Sequence, residues 1–239
     1  DWSSDVCSSD LLNGSILYIL DAGNGTGNGV PGRILTYDLA SGVSPTVIYT
    51  LPSDARSPRG ILYDSNKLYF SDVGTNKIYV DDLLTATNFQ EFSDLSVVGA
   101  GPVGMVIDGS TMFIAGRDSN IIHKVLNVNS FSGTPLVATN FINFSSILGQ
   151  WEGPEFLYLD NSTLYISGRD ANEIGSADIS LPNPIPSLTN ITSATTPGQV
   201  IPFNDGTNDY LYIAESSYIS FFEFNVLSTQ NLSEKKQFE

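Results

Sequence analysis

One pattern recurs five times along the chain, and it limits the fold more than any other feature. Its best copy is SPRGILYDSNKLYFSDVGTNKIYV, residues 57–80. Two apolar runs, Gly60 to Asp64 and Leu68 to Ser71, flank the turn Ser65-Asn66-Lys67. A Gly-containing turn from Asp72 to Asn76 leads to a third run that opens at Lys77. Tyr, Phe, Ile and Val fill the runs, and Gly, Asn, Asp and Ser punctuate them, which is strand and hairpin chemistry.

The aromatic residue of the middle strand falls at Tyr18, Tyr69, Phe113, Tyr165 and Tyr212, at spacings of 51, 44, 52 and 47 residues. Poorer apolar segments lie between copies: Thr46 to Leu51, Phe89 to Leu95, Pro135 to Phe141 and Ile191 to Thr195. They supply a fourth, outer strand. Four strands repeated at this period predict an all-β chain, a β-propeller of four-stranded antiparallel blades. No segment sustains a helical period, although Phe141 to Leu148 has room for a short helical turn.

The LYFSDVGTNKIYV block resembles NHL and YWTD repeats, and the whole set resembles the six-bladed, TolB-like class that also holds the SMP-30/gluconolactonase family. That resemblance implies about five visible blades of six, over residues 12–227. The stretch DWSSDVCSSDL, residues 1–11, resembles the translation of a common sequencing adapter and is set apart as non-native. Cys7, the single cysteine, belongs to it. Residues 228–239 read as a polar linker or tail, similar to the linker before a sorting domain in some secreted bacterial proteins.

Composition narrows the function. The 239 residues carry 26 acids against 10 Lys and Arg, a formal charge of −16. Setting aside Asp1, Asp5 and Asp10 leaves 23 acids against 10 basic residues, a charge of −13. Such a surface disfavours nucleic acid and anionic membrane. No apolar run reaches the roughly 18 residues of a membrane span.

Antiparallel blade geometry places the loop leading into each first strand beside the turn between the second and third strands. These lead-in loops carry Arg56, Arg59, Trp151 and Glu152, and the turns carry Arg117 and Arg169. Four of the five arginines thus share one end of the blades, and Arg33 follows the first such turn. Arginine's planar fork suits carboxylates and phosphates. Two readings stand. The G-R-D-x-N segments at Gly116 to Asn120 and Gly168 to Asn172 are turn chemistry, with Asp and Asn bonding backbone and Arg pairing with acids. Alternatively, the arginines recognise an anionic small molecule, glycan or protein.

Trp151 either stacks on a ligand or packs between blades. Glu152-Gly153-Pro154 resembles the E-G-P of the SMP-30 family, which implies a metal ligand at Glu152. The family's other ligand positions are not matched, since Pro58-Arg59-Gly60 puts arginine in such a place. The Gly/Asn-rich run 21–32 reads as a long turn or a weak calcium wrap, without the acid spacing of a calcium loop. His123 reads as a strand residue, and one His without a native Cys excludes a zinc site. The expectation is a monomeric, non-catalytic binding propeller of a secreted or cell-surface bacterial protein, with no cofactor. A metal-dependent hydrolase and a structural spacer are the alternatives.

Overall fold

The computed structural model describes residues 7–23, 32–84, 88–146, 153–168, 173–182, 184–190, 200–204, 209–214, 219–224 and 235–238. They form five four-stranded antiparallel sheets. The first holds β1 (Cys7–Asn13), β2 (Ile16–Asp21), β3 (Arg33–Asp38) and β4 (Thr46–Thr50). The second holds β5 (Pro58–Asp64), β6 (Lys67–Asp72), β7 (Lys77–Asp82) and β8 (Gln90–Asp94). The third holds β9 (Pro102–Asp108), β10 (Thr111–Gly116), β11 (Ile121–Leu126) and β12 (Ala138–Asn143). The fourth holds β13 (Pro154–Asp160), β14 (Thr163–Gly168), β15 (Glu173–Asp178) and β16 (Ser187–Asn190). The fifth holds β17 (Val200–Asn204), β18 (Asp209–Ala214), β19 (Ile219–Phe224) and β20 (Lys235–Phe238). Each sheet runs in chain order, so every neighbour is joined by a hairpin or short connection.

Several expected boundaries move. The fourth outer strand is Ser187–Asn190, earlier than Ile191 to Thr195, and the third is Ala138–Asn143. The short helical turn falls at Phe144–Ser146. The segment read as adapter-derived supplies most of β1, which pairs with β2 from Cys7↔Asp21 to Asn13↔Ile16. Lys235–Phe238, inside the stretch read as a linker or tail, pairs with β19 as the last outer strand.

The chain divides into two compact units. The first spans residues 1–119 and 123–139, and the second spans 120–122 and 140–239. In the first unit the core explains why β6 and β7 are apolar on both sides. Leu68, Phe70 and Tyr79 join Leu20, Ile34 and Leu51 of the first sheet. Tyr69, Ile78 and Val80 join Met105, Met112 and Ile114 of the third. The period-2 alternation of a strand serves two interfaces at once, so polar residues have few places within it. Phe70 stacks on Tyr79 at 4.7 Å, and Tyr69 meets Phe92 edge-on at 5.2 Å. Each fully buried side chain of this size stabilises by about 1.5–3 kcal/mol. In the second unit, β13 to β16 pair in order, with Leu157, Leu164, Ile166 and Ile174 buried.

The first strands share an irregularity. Register breaks between Pro58 and Ile61 in β5, between Pro102 and Met105 in β9, and between Pro154 and Phe156 in β13. Each break is a β-bulge at the same end of its sheet. Pro58, Pro102 and Pro154 pair with Asp72, Gly116 and Gly168 respectively.

Candidate functional site

The lead-in loop of β5 is fastened to the turn that follows β6. Asp72 ends β6 with no exposure. Its Oδ2 accepts the Ser57 N–H at 2.8 Å, and its Oδ1 accepts the Thr75 N–H at 2.7 Å and the Thr75 hydroxyl at 2.9 Å. The Val73 N–H returns a bond to the Ser57 carbonyl at 3.0 Å. Tyr79 donates its hydroxyl to Asp54 Oδ2 at 3.0 Å. Burial holds that hydroxyl well above its ordinary range, and the Asp54 carboxylate pushes the same way, so Tyr79 stays protonated as a donor. Gly74 lies close beneath Arg56: a Cβ there would sit 2.8 Å from Arg56 Cβ. Deeper in the sheet, Ser71 Oγ accepts the Gly60 N–H at 2.8 Å and donates to the Val103 carbonyl at 2.7 Å, tying β5 to β9.

The described arginines fall into two groups. Arg33 bonds Asp21 Oδ2 through Nε at 3.1 Å and Nη2 at 2.5 Å. Arg117 Nε bonds Asp118 Oδ1 at 2.9 Å. Arg56 and Arg59 are exposed and form no ion pair with a described residue. Lys77 pairs with Glu91 at 2.6 Å, and that hydrogen bond raises the lysine's pKa. Thus the turn-chemistry reading fits Arg117, and Arg56 and Arg59 stay exposed without an acidic partner among the described residues.

The third sheet's lead-in loop is held differently. Gly101, at φ 57°, donates its N–H to Asn76 Oδ1 at 2.7 Å, reaching back to the second sheet. The Arg117 and Asp118 N–H groups bond the carbonyls of Gly101 and Ala100 at 3.1 and 3.0 Å. The second unit repeats the tie: Gly153, at φ 69°, donates to Asn120 Oδ1 at 2.8 Å. Asn76 and Asn120 both sit at positive φ, 59° and 57°, immediately before a third strand, which their short polar side chains tolerate. His123 is 1% exposed in β11, with Nε2 3.1 Å from Ser119 Oγ. Ser119 also donates to the Gly116 carbonyl at 3.1 Å, so this histidine is a partnered strand residue.

Trp151, Glu152 and Arg169 lie outside the described residues. The run 24–31 does as well, so the calcium reading of that turn has no geometry to rest on. The sheet register does correct one correspondence. Counting from the paired prolines, Glu152 matches Arg56, two residues before Pro58, and Arg59 matches Val103 and Glu155. Glu155, one residue past its proline, is half-buried and was not singled out from the sequence. Among the described residues no three His, Cys, Asp or Glu side chains group as a metal-binding set. No helix of the described residues is long and apolar enough to cross a membrane.

Five four-stranded antiparallel sheets in sequential order make this chain a β-propeller. No family model matches the sequence, and no curated protein matches it. Among solved structures it is similar to the periplasmic gluconolactonase of Pseudomonas aeruginosa, with TM-score 0.67 and 16% identity, over 94% of this chain and 67% of that one. It is similar to a chain of a nidogen/laminin complex, with TM-score 0.65 and 16% identity, over 87% of this chain and 72% of that one. A streptogramin B lyase matches with TM-score 0.65 and 16% identity, over 95% of this chain and 72% of that one. At such identities the likeness carries the fold alone.

Proposed function

We propose that this chain is a non-catalytic binding propeller, of the six-bladed TolB-like type, from a secreted or cell-surface bacterial protein. It takes an anionic ligand or partner at the arginine-bearing end of its blades. One observation supports this most: Arg56 and Arg59 are exposed without an acidic partner among the described residues, on a chain of charge −16. An isolated cationic spot in a negative field is where an anion would be held. Arg117, in the same unit, is the weaker contributor because Asp118 already engages it.

The test is a glycan and peptide array probed with the chain and with an Arg56→Ala/Arg59→Ala double variant. Acidic ligands retained by the parent and lost by the variant would support the proposal. Equal retention by both would refute it and leave the spacer reading.

A second reading, a metal-dependent hydrolase, draws on the gluconolactonase and lyase among the structural neighbours. Lactone hydrolysis by the purified chain, abolished by Glu152→Gln, would establish that reading instead.

A further inference from the structure

A buried carboxylate is costly unless donors fill its oxygens. Asp72 meets that need with donors from only two places: Ser57, in the lead-in loop of β5, and Thr75, in the turn after β6. Its hydrogen bonds therefore join the backbone beside Arg56 to the turn beneath it. Tyr79 adds a second tie through Asp54, two residues before Arg56. Gly74 adds a third by allowing close approach to the Arg56 Cβ.

Among the described residues, this loop also lacks a side-chain tie that the next one has. The carbonyl of Asn76 accepts the Leu95 N–H, and the carbonyl of Gly32 accepts the Leu51 N–H in the corresponding place of the first sheet. Asn76 adds a side-chain bond to the following lead-in loop, whereas Gly32 has no side chain to do so. The lead-in loop of β5 and the turn 72–76 thus behave as one body belonging to the second sheet.

We infer that Asp72 is the positioning residue of the Arg56/Arg59 site and that the group read there is a single carboxylate, as carried by an acidic sugar or a free peptide C-terminus. This rests on the binding reading above. A backbone fixed in advance leaves only arginine side-chain freedom to lose on binding. The charge of −16 selects among anions, because its repulsion grows with ligand charge and penalises a phosphate dianion more than a carboxylate.

The experiment uses the full chain and calorimetric titration with four probes: galacturonate, a tetrapeptide with a free C-terminus, its amidated form, and inorganic phosphate. Asp72→Asn, Gly74→Ala and Arg56→Ala/Arg59→Ala are titrated alongside, with circular dichroism and thermal unfolding of each. Phenylglyoxal modification of each arginine, followed by peptide mass spectrometry, reports on positioning without any ligand. The expected result is binding of at least one carboxylate probe, with phosphate tenfold or more weaker. The double variant should not bind. Asp72→Asn should bind tenfold or more weakly with its fold intact, and should change the modification rate of Arg56 severalfold but not those of Arg33 and Arg117. Gly74→Ala should do the same and stands in if Asp72→Asn does not fold.

Galacturonate binding points to a sugar source, whereas binding of the free but not the amidated peptide points to a C-terminus; both uphold the carboxylate. Phosphate binding as tightly as carboxylate overturns the ligand class. Carboxylate binding that Asp72→Asn leaves unchanged, with unchanged Arg56 modification, overturns the positioning role and spares the binding reading. No carboxylate binding by the parent overturns that reading and the ligand class together, and the modification rates still decide the role of Asp72.

Discussion

The lead-in loop of β5 takes its side-chain anchor from its own sheet, through Asp72, whereas that of β9 takes it from the sheet before, through Asn76. The arginines beside the two loops differ in parallel. Arg56 and Arg59 are exposed and unmatched by a described acid, while Arg117 is spent on Asp118. The second arrangement joins one sheet to the next. The first leaves a rigid loop with cationic side chains available. The same fold position can therefore serve architecture or recognition, depending on which sheet supplies the acceptor.

The sharpest way to break this comparison is at the seam between the two sheets. A Cβ at Gly60 would lie 2.1 Å from the Val103 carbonyl oxygen, which is backbone and cannot swing aside. Gly60→Ala should cost on the order of 3 kcal/mol in denaturant unfolding. Asn76→Ala comes next: it strands the Gly101 N–H and places alanine at positive φ, for a loss of about 2 kcal/mol. Asn76→Gly should lose less, because glycine accepts that backbone freely. Both Asn76 variants should leave carboxylate binding at the β5 loop unchanged, and a loss there would merge the two loops into one device.

The third prediction concerns pH. Burial, helped by the charges of Asp64 and Asp82, pushes the Tyr69 hydroxyl up to about 12 from its ordinary 10.0. A group raised on folding adds stability that is whole below its unfolded value and is lost as pH rises toward its folded value. Denaturation midpoints should fall between pH 10 and about 12, and Tyr69→Phe should flatten that fall. Tyr49 is also raised, chiefly by burial, and acts in the same direction. The smallest effect belongs to Arg117→Ala. Its partner Asp118 is half exposed, so the lost pair should cost under about 1 kcal/mol. Binding should weaken only slightly, since Asp118 already occupies that guanidinium.

The strands were legible in the sequence because β6 and β7 are apolar on both faces, which local composition reports directly. Tyr18, Tyr69, Phe113 and Tyr165 each fall third in their strands, which is why their spacing disclosed the repeat. The outer strands were less legible. Ser187–Asn190 is a polar tetrapeptide placed by its pairing with β15, and no local pattern marks it. Within the site, the shared end of lead-in loop and turn followed from antiparallel geometry, and the Ser57–Asp72 and Gly101–Arg117 bonds agree with it. The partner of Arg33 did not follow. Arg33 is satisfied by Asp21, its cross-strand neighbour twelve positions away, which charge counting cannot reveal. The ladder pairs the prolines and so sets Glu152 level with Arg56, and each of these first strands carries one added residue just past its proline.

That added residue has a consequence for how such a chain can change over time. At one backbone position, opened by the same bulge, the three sheets carry an exposed arginine, a buried valine and a half-buried glutamate: Arg59, Val103 and Glu155. Cation, hydrocarbon and anion are accommodated on one unchanged frame. A lineage built this way can rewrite what its blades present one residue at a time, while the apolar strands behind them need no revision.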